Sequence, residues 1–298
     1  MELTGRTIAI VGGDEREQEI ARCAAATGAT VRGYGFPWPE NGIDGVTHAG
    51  SAAEAMSGAG YALFPIPGIT ADGALFAPVA PQPIYPDGAL LSHLRAGASI
   101  ILGMPDAKLS AAAQAAGVSL VEYEHDTELM LLRGPAIVEG ALKIAIENTE
   151  ITLHNADIGV VGHGNIGRLL ARTLVLLGAR VQVFARNPVQ RADALASGAV
   201  GRALDELPQR VPGLSMLFST VPSSVVTEET LALMPRGLVM DLAAPPGGID
   251  LAAAGRLGHR AIWARGLGRR APITVGRSQW SGIERRIAEI EKERTDAR

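Results

Sequence analysis

Six residues near the middle of the chain have the types and spacing of a phosphate-binding turn. They read Gly162-His163-Gly164-Asn165-Ile166-Gly167 and match the pattern GxGxxG. The apolar run Asp157–Val161 precedes them, and the apolar-periodic segment Asn165–Leu177 follows them. The first glycine permits a tight turn, the second lets a pyrophosphate approach a helix N-terminus, and the third lets helix and strand pack closely. This context predicts a dinucleotide site, with His163 contacting the cofactor through its backbone.

The residue at the end of the next strand indicates whether the site suits NAD or its 2′-phosphorylated form, NADP. Sites for NAD usually carry an acidic residue there, which holds the ribose hydroxyls, whereas an arginine accommodates the 2′-phosphate of NADP. The chain reads VFARNP at this point, so Arg186 ends the strand and no acid is near. A guanidinium matches phosphate geometry, and the sequence therefore predicts NADP.

An internal repeat predicts the architecture. Thr7–Phe36 aligns with Asp157–Arg186, and Gly12 meets Gly162 while Gly28-Ala29 meets Gly178-Ala179. Each copy is an apolar run, a glycine turn, an apolar-periodic segment and a second apolar run. That order is typical of the βαβ unit of a parallel sheet. Two copies predict an α/β protein of two tandem Rossmann-like, doubly wound domains with an interdomain cleft.

The first copy lacks the dinucleotide pattern. Asp14 stands where Gly164 stands, and Glu17 stands where Gly167 stands. A carboxylate at Asp14 would repel a pyrophosphate, and we expect Glu17 to hinder close packing. The first domain is therefore expected to keep the fold without the dinucleotide. Asp14 is then either a residue that faces a small substrate or the N-cap of the first helix.

Spacing and composition along the rest of the chain predict the domain boundaries. We expect an N-terminal domain over residues 1–133, a linking helix within 134–156, an NADP-binding domain over 157–275 and a C-terminal helix over 276–298 that packs back. Further strands are expected at Tyr61–Phe64, Ser99–Leu102, Val118–Glu122, Leu214–Ser219, Leu238–Leu242 and Ala261–Trp263. Further helices are expected at Leu90–Arg95, Lys108–Ala116, Ala136–Glu147, Val189–Ala196 and Glu228–Met234. The proline-rich stretch from Pro65 to Pro86 predicts stiff loops.

Composition excludes several classes of function. The net charge is −4, with 27 basic and 31 acidic residues, so there is no basic excess for nucleic acid or an anionic membrane. A single cysteine, Cys23, excludes an internal disulfide framework, and the scattered histidines favour no metal. No apolar stretch has the length of a membrane helix, and the first residues do not resemble a targeting peptide. A soluble, cytoplasmic protein is expected.

Taken together, the motifs resemble a known family, the A subunit of dipicolinate synthase, which is the NAD(P)-binding subunit of the bacterial spore enzyme. The matching pieces, in order, are IAIVGGDEREQEIA, FPIPG, VEGALKIAIENTEITLHNADIGVVGHGNIG, LARTLVLLGARVQVFAR, STVP and DLAAPPGGID. The resemblance implies a sheet-rich N-terminal domain, a Rossmann domain and oxidation of a dihydrodipicolinate-type intermediate to pyridine-2,6-dicarboxylate. It also implies a small dicarboxylate as substrate and a flavoprotein-like partner, the B subunit of dipicolinate synthase.

Two departures from the family pattern fall near the expected site. The chain reads AIVEGA at Ala136–Ala141, where the family tends to read PTAEGA, so Pro135 sits one place early. It has Asn165 where the family often has an arginine inside the glycine loop.

The loops after the strands carry the remaining candidates. On the cofactor side we expect Thr220-Val221-Pro222 near the nicotinamide ribose, and Ala243 in the turn Asp241–Gly248 beside the cofactor. Arg265 and Arg269 follow a later strand and are either anion ligands or solvated surface residues.

On the substrate side we expect Pro67, Gly68 and Thr70 to offer loop contacts, and Arg16 to clamp a carboxylate. His125, at a strand end, is the candidate for proton transfer, because an unperturbed histidine titrates near neutral pH. Glu139, at a helix start, is a second catalytic candidate or a partner of the helix dipole.

Two other functions remain open at this point. One is a different NAD(P)-dependent hydroxy- or amino-acid dehydrogenase, although the Arg, Glu and His series of such enzymes is missing after Leu242. The other is a non-catalytic protein that binds NADP as part of a complex. In each case a homodimer is possible.

Overall fold

The computed structural model describes residues 1–296 and divides into two compact units. The first unit is Met1–Arg133 together with the stretch that begins at Ala271, and the second unit is Gly134–Arg270. Each unit is built on one six-stranded sheet in which every strand pair is parallel.

The first unit contains strands β1 (Thr7–Val11), β2 (Thr30–Tyr34), β3 (Val46–His48), β4 (Tyr61–Leu63), β5 (Ser99–Leu102) and β6 (Ser119–Glu122). Their order in the sheet is β3-β2-β1-β4-β5-β6. Helices α1 (Glu15–Ala26), α2 (Ala52–Met56), α3 (Gly88–Leu91) and α4 (Ala107–Ala116) connect them. The central strands are buried on both faces and read as continuous apolar runs, as expected for a sheet covered on both sides.

A long helix, α5 (Thr127–Glu147), follows β6. The sequence predicted a helix only from Ala136, just after Pro135, and a proline is common in the first turn of a helix. The helix instead begins at Thr127 and carries Pro135 in its interior, where its ring nitrogen donates no hydrogen bond to the preceding turn.

The second unit repeats the arrangement of the first. Its strands are β7 (Asp157–Val161), β8 (Arg180–Phe184), β9 (Val200–Arg202), β10 (Met216–Ser219), β11 (Leu238–Asp241) and β12 (Arg260–Trp263). Their order is β12-β11-β10-β7-β8-β9, which is the order of the first sheet read from the other edge. Helices α6 (Asn165–Leu176), α7 (Pro188–Ala196), α8 (Leu207–Arg210), α9 (Glu228–Ala232) and α10 (Leu251–Arg256) connect them. The predicted fold class of two tandem Rossmann-like domains is confirmed.

The chain ends on helix α11 (Pro272–Asp296), which packs along α1 in the first unit. It begins before the expected residue 276, and residues 297 and 298 of that expected range lie outside the described residues. Gly276 permits the close approach of the two helices, because a Cβ there would lie 2.7 Å from the Arg16 carbonyl oxygen. Trp280, Ile283 and Ile287 extend the core that α1 and β1 form.

Most predicted elements lie within a few residues of the observed ones, but five short elements were missed. Strands β3 and β9 and helices α2, α8 and α10, which have three to six residues each, were not predicted. Such segments are too short to display a period, so tertiary packing determines them. The proline-rich stretch between β4 and α3 is irregular, apart from the bridge between Ile69 and Leu75.

A partly buried ionic cluster ties α11 to the first sheet. The Glu291 carboxylate accepts hydrogen bonds from Arg6 Nη2 at 2.5 Å and from Arg294 Nη1 at 3.2 Å, and also from the Tyr61 hydroxyl. Burial opposes ionisation of Glu291, but the donors outweigh it and lower its pKa to about 2. The ionised carboxylate is therefore the form that stabilises the folded unit.

We expect Glu291→Gln to destabilise the first unit by about 1–3 kcal/mol at pH 7, the typical contribution of hydrogen bonds to a charged group. Because the folded pKa lies below the unfolded value of about 4.3, this stabilisation is complete above pH 4–5 and is lost as the pH falls towards 2. Urea denaturation followed by tryptophan fluorescence, with Trp280 on the same helix, measures it. Glu293→Gln, at an exposed position of α11, is the control. Equal effects of both variants, or an effect of Glu291→Gln that is unchanged at pH 3, would contradict the assignment.

Candidate functional site

The three glycines of the second unit's turn have separate structural roles. Gly162 adopts φ +94°, and a Cβ there would lie 2.7 Å from the Thr220 hydroxyl oxygen. A Cβ on Gly167 would lie 2.3 Å from the Gly162 carbonyl oxygen. A Cβ on Gly164 would meet nothing within 4 Å. The first and third glycines are therefore required by packing, and the second leaves open space in front of α6.

The first turn of α6 has no side-chain cap. Gly164 is the N-cap residue, no side chain of the described chain caps this end of the helix, and no acidic residue lies in the first turn. The first amides of a helix have no partner within the helix, and the helix dipole adds positive potential there. This end of α6 thus presents donors to an anion, and Asn165, Ile166 and Gly167 supply them.

A cavity of about 440 Å³ opens beside the glycine turn. Its lining includes most of the residues that the sequence predicted to bind the cofactor, namely Gly162, His163, Gly164, Arg186, Thr220, Val221 and Pro222. The ends of β7, β8 and β10 carry these residues, because neighbouring parallel strands bring their carboxyl ends to one edge. No acidic side chain within residues 1–296 lines this cavity.

Arg186 stands at the exposed end of β8 and has no ion pair among residues 1–296. Its carbonyl oxygen accepts a hydrogen bond of 2.7 Å from Arg191 Nη1, which also donates to the Ala185 carbonyl. Arg191 therefore fixes the backbone that carries Arg186. The two arginines line a second depression together with Asp205.

The predicted backbone contact of His163 with the cofactor stays a prediction, and the structure adds a contact of its side chain. The imidazole is buried and its Nε2 lies 3.0 Å from Asp193 Oδ2 on α7. Nδ1 is also buried and has no hydrogen-bond partner among the described residues. The imidazole thus links the glycine turn to the helix that follows Arg186. The contact crosses thirty residues of chain, and no sequence signal marks it.

Two buried polar residues hold the loops after β10 and β11. The Asp241 carboxylate accepts hydrogen bonds from the amides of Ala243, Gly248 and Ile249 at 2.6–3.0 Å. A Cβ on Gly248 would lie 2.2 Å from the Ser219 hydroxyl oxygen, so this glycine permits the two loops to touch. Asp241 and Ser219 were not singled out as structural residues, although both are fully buried.

The remaining candidates of the second unit lie elsewhere on it. Ala243 follows β11 and accepts a hydrogen bond from the Trp263 indole, but it does not line the 440 Å³ cavity. Arg265 is exposed and its guanidinium stacks 5.5 Å from the centre of the Trp263 ring. Arg269 lies in the short turn Leu267–Arg270 and is exposed.

In the first unit, the corresponding helix end is closed by the chain's own carboxylates. Asp14 is the N-cap of α1, and the Glu17 carboxylate accepts a hydrogen bond of 2.7 Å from the Asp14 amide. Contrary to expectation, Glu17 does not hinder packing, because Gly13 leaves room for it: a Cβ there would lie 2.2 Å from the Glu17 carboxyl carbon. Burial raises the pKa of Glu17 to about 7, although Arg16 acts in the opposite direction.

Arg16 forms a two-pronged ion pair with Asp14. Its Nε and Nη2 donate to the two carboxylate oxygens at 2.7 and 2.8 Å, and both side chains are buried. The residue predicted to clamp a substrate carboxylate therefore already holds one from its own chain.

The loop after β4 is shaped by close backbone contacts. Gly68 adopts φ +65°, and a Cβ there would lie 2.9 Å from the Met104 carbonyl oxygen. Pro67 is exposed. The Thr70 hydroxyl contacts the Ala74 carbonyl and Asp72 through hydrogen bonds, so it closes a local turn.

Two catalytic candidates differ from their predicted placement. His125 does not end a strand, because β6 stops at Glu122 and His125 is exposed in the turn before α5. Glu139 does not start a helix: it lies in the interior of α5, is exposed and pairs with Arg270. Both residues differ from their predicted placement because α5 begins early, at Thr127. Neither residue lines the 440 Å³ cavity.

Among residues 1–296, no group of three or more His, Cys, Asp or Glu side chains is placed to hold a metal ion. Within the same range, no helix is long and apolar enough to span a membrane.

Comparison with known proteins identifies both units. Residues 7–124 match the model of the N-terminal domain of the dipicolinate synthase A subunit, and residues 133–242 match the NAD-binding domain of D-isomer-specific 2-hydroxyacid dehydrogenases. The A subunit of dipicolinate synthase from Bacillus subtilis is 30% identical over 293 residues, which is 98% of this chain and 99% of that protein. The chain belongs to the family of dipicolinate synthase A subunits.

Solved structures agree with this assignment. The A chain of dipicolinate synthase from Bacillus subtilis superposes with a TM-score of 0.85, covering 98% of this chain and 99% of that one. The corresponding protein from Bacillus halodurans is 28% identical, with a TM-score of 0.88 and coverage of 97% and 99%. A transhydrogenase from Sinorhizobium meliloti, 18% identical over 94% of each chain, shares the fold with a TM-score of 0.71. The second unit is thus a nicotinamide dinucleotide-binding domain, and the chain is an oxidoreductase-like protein of the NAD(P)-dependent class.

The geometry predicts different results for two substitutions in the glycine turn. Gly164 has φ −82° and open space around its Cβ position, so Gly164→Asp is expected to fold and to cap α6 as Asp14 caps α1. Its carboxylate occupies the anion position, and we expect dinucleotide binding to be abolished. Gly164→Ala, which adds a methyl group without a charge, is the matched control and should lose much less affinity than the Asp variant. Titration of the cofactor by calorimetry measures both. Native stoichiometry in the Asp variant would show that the first unit also binds a dinucleotide.

Proposed function

We propose that this chain is the dinucleotide-binding subunit of a dipicolinate synthase and uses NADP to oxidise a dihydrodipicolinate-type intermediate to pyridine-2,6-dicarboxylate. The observation that carries the proposal is the uncapped N-terminus of α6 beside Arg186, on one cavity that no acidic residue of the described chain lines. Membership of the family of dipicolinate synthase A subunits supports the substrate class.

The residues present fit a phosphorylated dinucleotide. The first amides of α6 would hold the pyrophosphate, and Arg186 would take the 2′-phosphate with its backbone fixed by Arg191. The loop Thr220-Val221-Pro222, whose Val221 amide donates to the Ser219 hydroxyl, would border the nicotinamide ribose. When bound, the nicotinamide accepts the hydride that leaves the dihydropyridine ring.

The protein must supply three further functions. It orients the ring, holds two carboxylates and accepts the proton that leaves with the hydride. Arg16, Arg265 and Arg269 are the proposed positive groups for the dianion, and Pro67, Gly68 and Thr70 the proposed loop contacts. His125 and Glu139 are the proposed proton acceptors, and both side chains are exposed. The proposed partner is the flavoprotein-like B subunit of dipicolinate synthase, as the family resemblance implies.

We expect NADP to bind more tightly than NAD, and Arg186→Ala to remove this preference. Loss of a charged phosphate contact should cost about 1.5–3 kcal/mol, or roughly 10- to 150-fold in NADP affinity, with NAD affinity unchanged. Titration of both cofactors by tryptophan fluorescence measures the preference. Arg172→Ala, at an exposed position of α6 that does not line the cavity, is the control. Equal affinity of the native chain for both cofactors would reject the NADP assignment.

The reaction is tested with freshly generated dihydrodipicolinate and NADP, following the absorbance of pyridine dicarboxylate. We expect product from this chain together with its partner, and none when Gly164→Asp replaces the native chain. Product formed equally by the Gly164→Asp variant would show that the chemistry does not use this dinucleotide site.

A second function is favoured by the match of the second unit to 2-hydroxyacid dehydrogenases. If folded, NADP-binding protein gives no dipicolinate with its partner, turnover of 2-hydroxy or amino acids identifies another dehydrogenase. A chain that binds NADP and turns over none of these substrates is a non-catalytic binding protein.

A further inference from the structure

The Arg16 guanidinium is held rigidly at the carboxyl end of β1. Asp14, which is fully buried, receives two nearly parallel hydrogen bonds from Nε and Nη2 at 2.7 and 2.8 Å. A planar guanidinium held at two points cannot rotate, so the direction of its remaining donors is fixed. The Arg16 side chain keeps 10% of its surface accessible.

Asp14 occupies only one edge of this guanidinium. The second edge consists of Nη1 and the remaining N–H of Nη2, and Nη1 makes no hydrogen bond to any residue between 1 and 296. A carboxylate on that edge would again receive two parallel hydrogen bonds. Because Arg16 is already ordered, an anion would bind without the cost of immobilising a flexible side chain.

The position of Arg16 in the sheet is one where ligands bind. β1 and β4 are neighbours at the centre of the sheet, and the chain leaves β1 towards one edge and β4 towards the other. Ligands of such sheets bind beyond the carboxyl ends of the strands at this reversal. The turn Gly12-Gly13 follows β1 there, and the Gly13 amide donates to the Phe76 carbonyl of the loop after β4 at 2.7 Å.

Other charged or polar groups of the first unit interact with Arg16, with Glu17 or with the helix that carries them. Tyr123, just after β6, is buried, interacts electrostatically with Arg16 and Glu17, and its hydroxyl makes no hydrogen bond to a described residue. Burial raises the pKa of Tyr123, so its hydroxyl stays protonated and is a donor. From α11, Arg286 stacks 5.7 Å from the Tyr123 ring centre, and Arg277 pairs with Glu19 of α1.

We propose that the free edge of Arg16 is an anion subsite of the first unit and takes one carboxylate of a planar dicarboxylate, with the Tyr123 hydroxyl as a second donor. The identity of the dicarboxylate rests on the proposed function. The existence of the subsite rests on the orientation of Arg16 alone. Asp14 is its positioning residue.

Glu17 makes the affinity of this subsite depend on pH. Its carboxyl group is buried beside Arg16 and Asp14, and burial raises its pKa to about 7. An anion on Arg16 is repelled by ionised Glu17 and tolerated by the protonated form. Affinity should therefore be highest below pH 7 and fall as Glu17 ionises above it, and binding above pH 7 should take up a proton.

Calorimetric titration of the full chain with pyridine-2,6-dicarboxylate, without cofactor, tests the subsite. We expect Arg16→Met to weaken binding by at least about tenfold, the scale of a lost charged hydrogen bond. Arg16→Lys keeps a positive charge beside Asp14, but its ammonium group lacks the second pair of parallel N–H donors. We expect it to lose about as much affinity as Arg16→Met. Arg22→Ala, which removes an exposed arginine of the same helix, should change affinity less than about twofold.

Two further variants separate the roles of neighbouring groups. Glu17→Gln preserves an acceptor for the Asp14 amide, because a capping box works with Gln as with Glu. It should remove the fall in affinity between about pH 6 and pH 8, the range in which Glu17 ionises. Tyr123→Phe should weaken binding by about threefold to tenfold, the scale of one neutral hydrogen bond.

Comparing ligands and variants shows which results support the subsite and which overturn it. Weaker binding of inorganic phosphate and of pyridine-2-carboxylate than of the dicarboxylate supports the assignment, whereas phosphate binding as tightly as the dicarboxylate overturns it. Folded Arg16→Lys that binds like the native chain overturns it as well. Failure of the proposed function would look different: dicarboxylate binding would still require Arg16, but no dipicolinate would form with NADP and the partner.

Discussion

The unpaired amides at the start of a helix are the constraint on which both units depend. Four N–H groups at a helix N-terminus need acceptors from outside the helix. In the first unit the Asp14 side chain accepts from the Arg16 amide and the Glu17 carboxylate accepts from the Asp14 amide, so the turn after β1 is closed. In the second unit Gly164 provides none, and the turn after β7 is open to an anion. Two sheets of the same order thus differ in whether the turn after their first strand is closed by carboxylates or open to an anion.

The two turns require glycines at different positions. Gly13 lacks a side chain, so the Glu17 carboxylate can lie against the turn, whereas Gly167 lacks one so that α6 can pack on the Gly162 carbonyl. Substituting one carboxylate into the second turn would therefore not reproduce the first turn, because the space that Glu17 occupies is filled there by backbone. The first unit is built around its carboxylates and does not merely lack a glycine.

The sequence predicted both sheets and most of the residues that line the cavity at the glycine turn, because the repeat and the GxGxxG context depend on local chemistry. It could not show that Glu139 lies in the interior of a helix. The nearest local signal is Pro135, which usually marks a helix start but here lies inside α5. It could not reveal the contact of His163 with Asp193, because this joins residues far apart in sequence without a period or motif. Arg16 was predicted to hold a substrate carboxylate, and the sequence did not reveal that Asp14, two residues away, is its partner in the folded chain.

The ion pair within the turn after β1 also explains how the first unit tolerates a buried arginine, Arg16. An isolated guanidinium in this position would carry a large desolvation cost, and Asp14 offsets it with a paired, hydrogen-bonded charge. Ionised Glu17 would add a second negative charge beside that pair, and its raised pKa shows that burial resists this. Near neutral pH the cluster therefore alternates between a neutral and an anionic form. An external carboxylate competes with the anionic form of Glu17 for the same positive charge, so the group that closes the turn also sets the pH range in which Arg16 can accept a ligand.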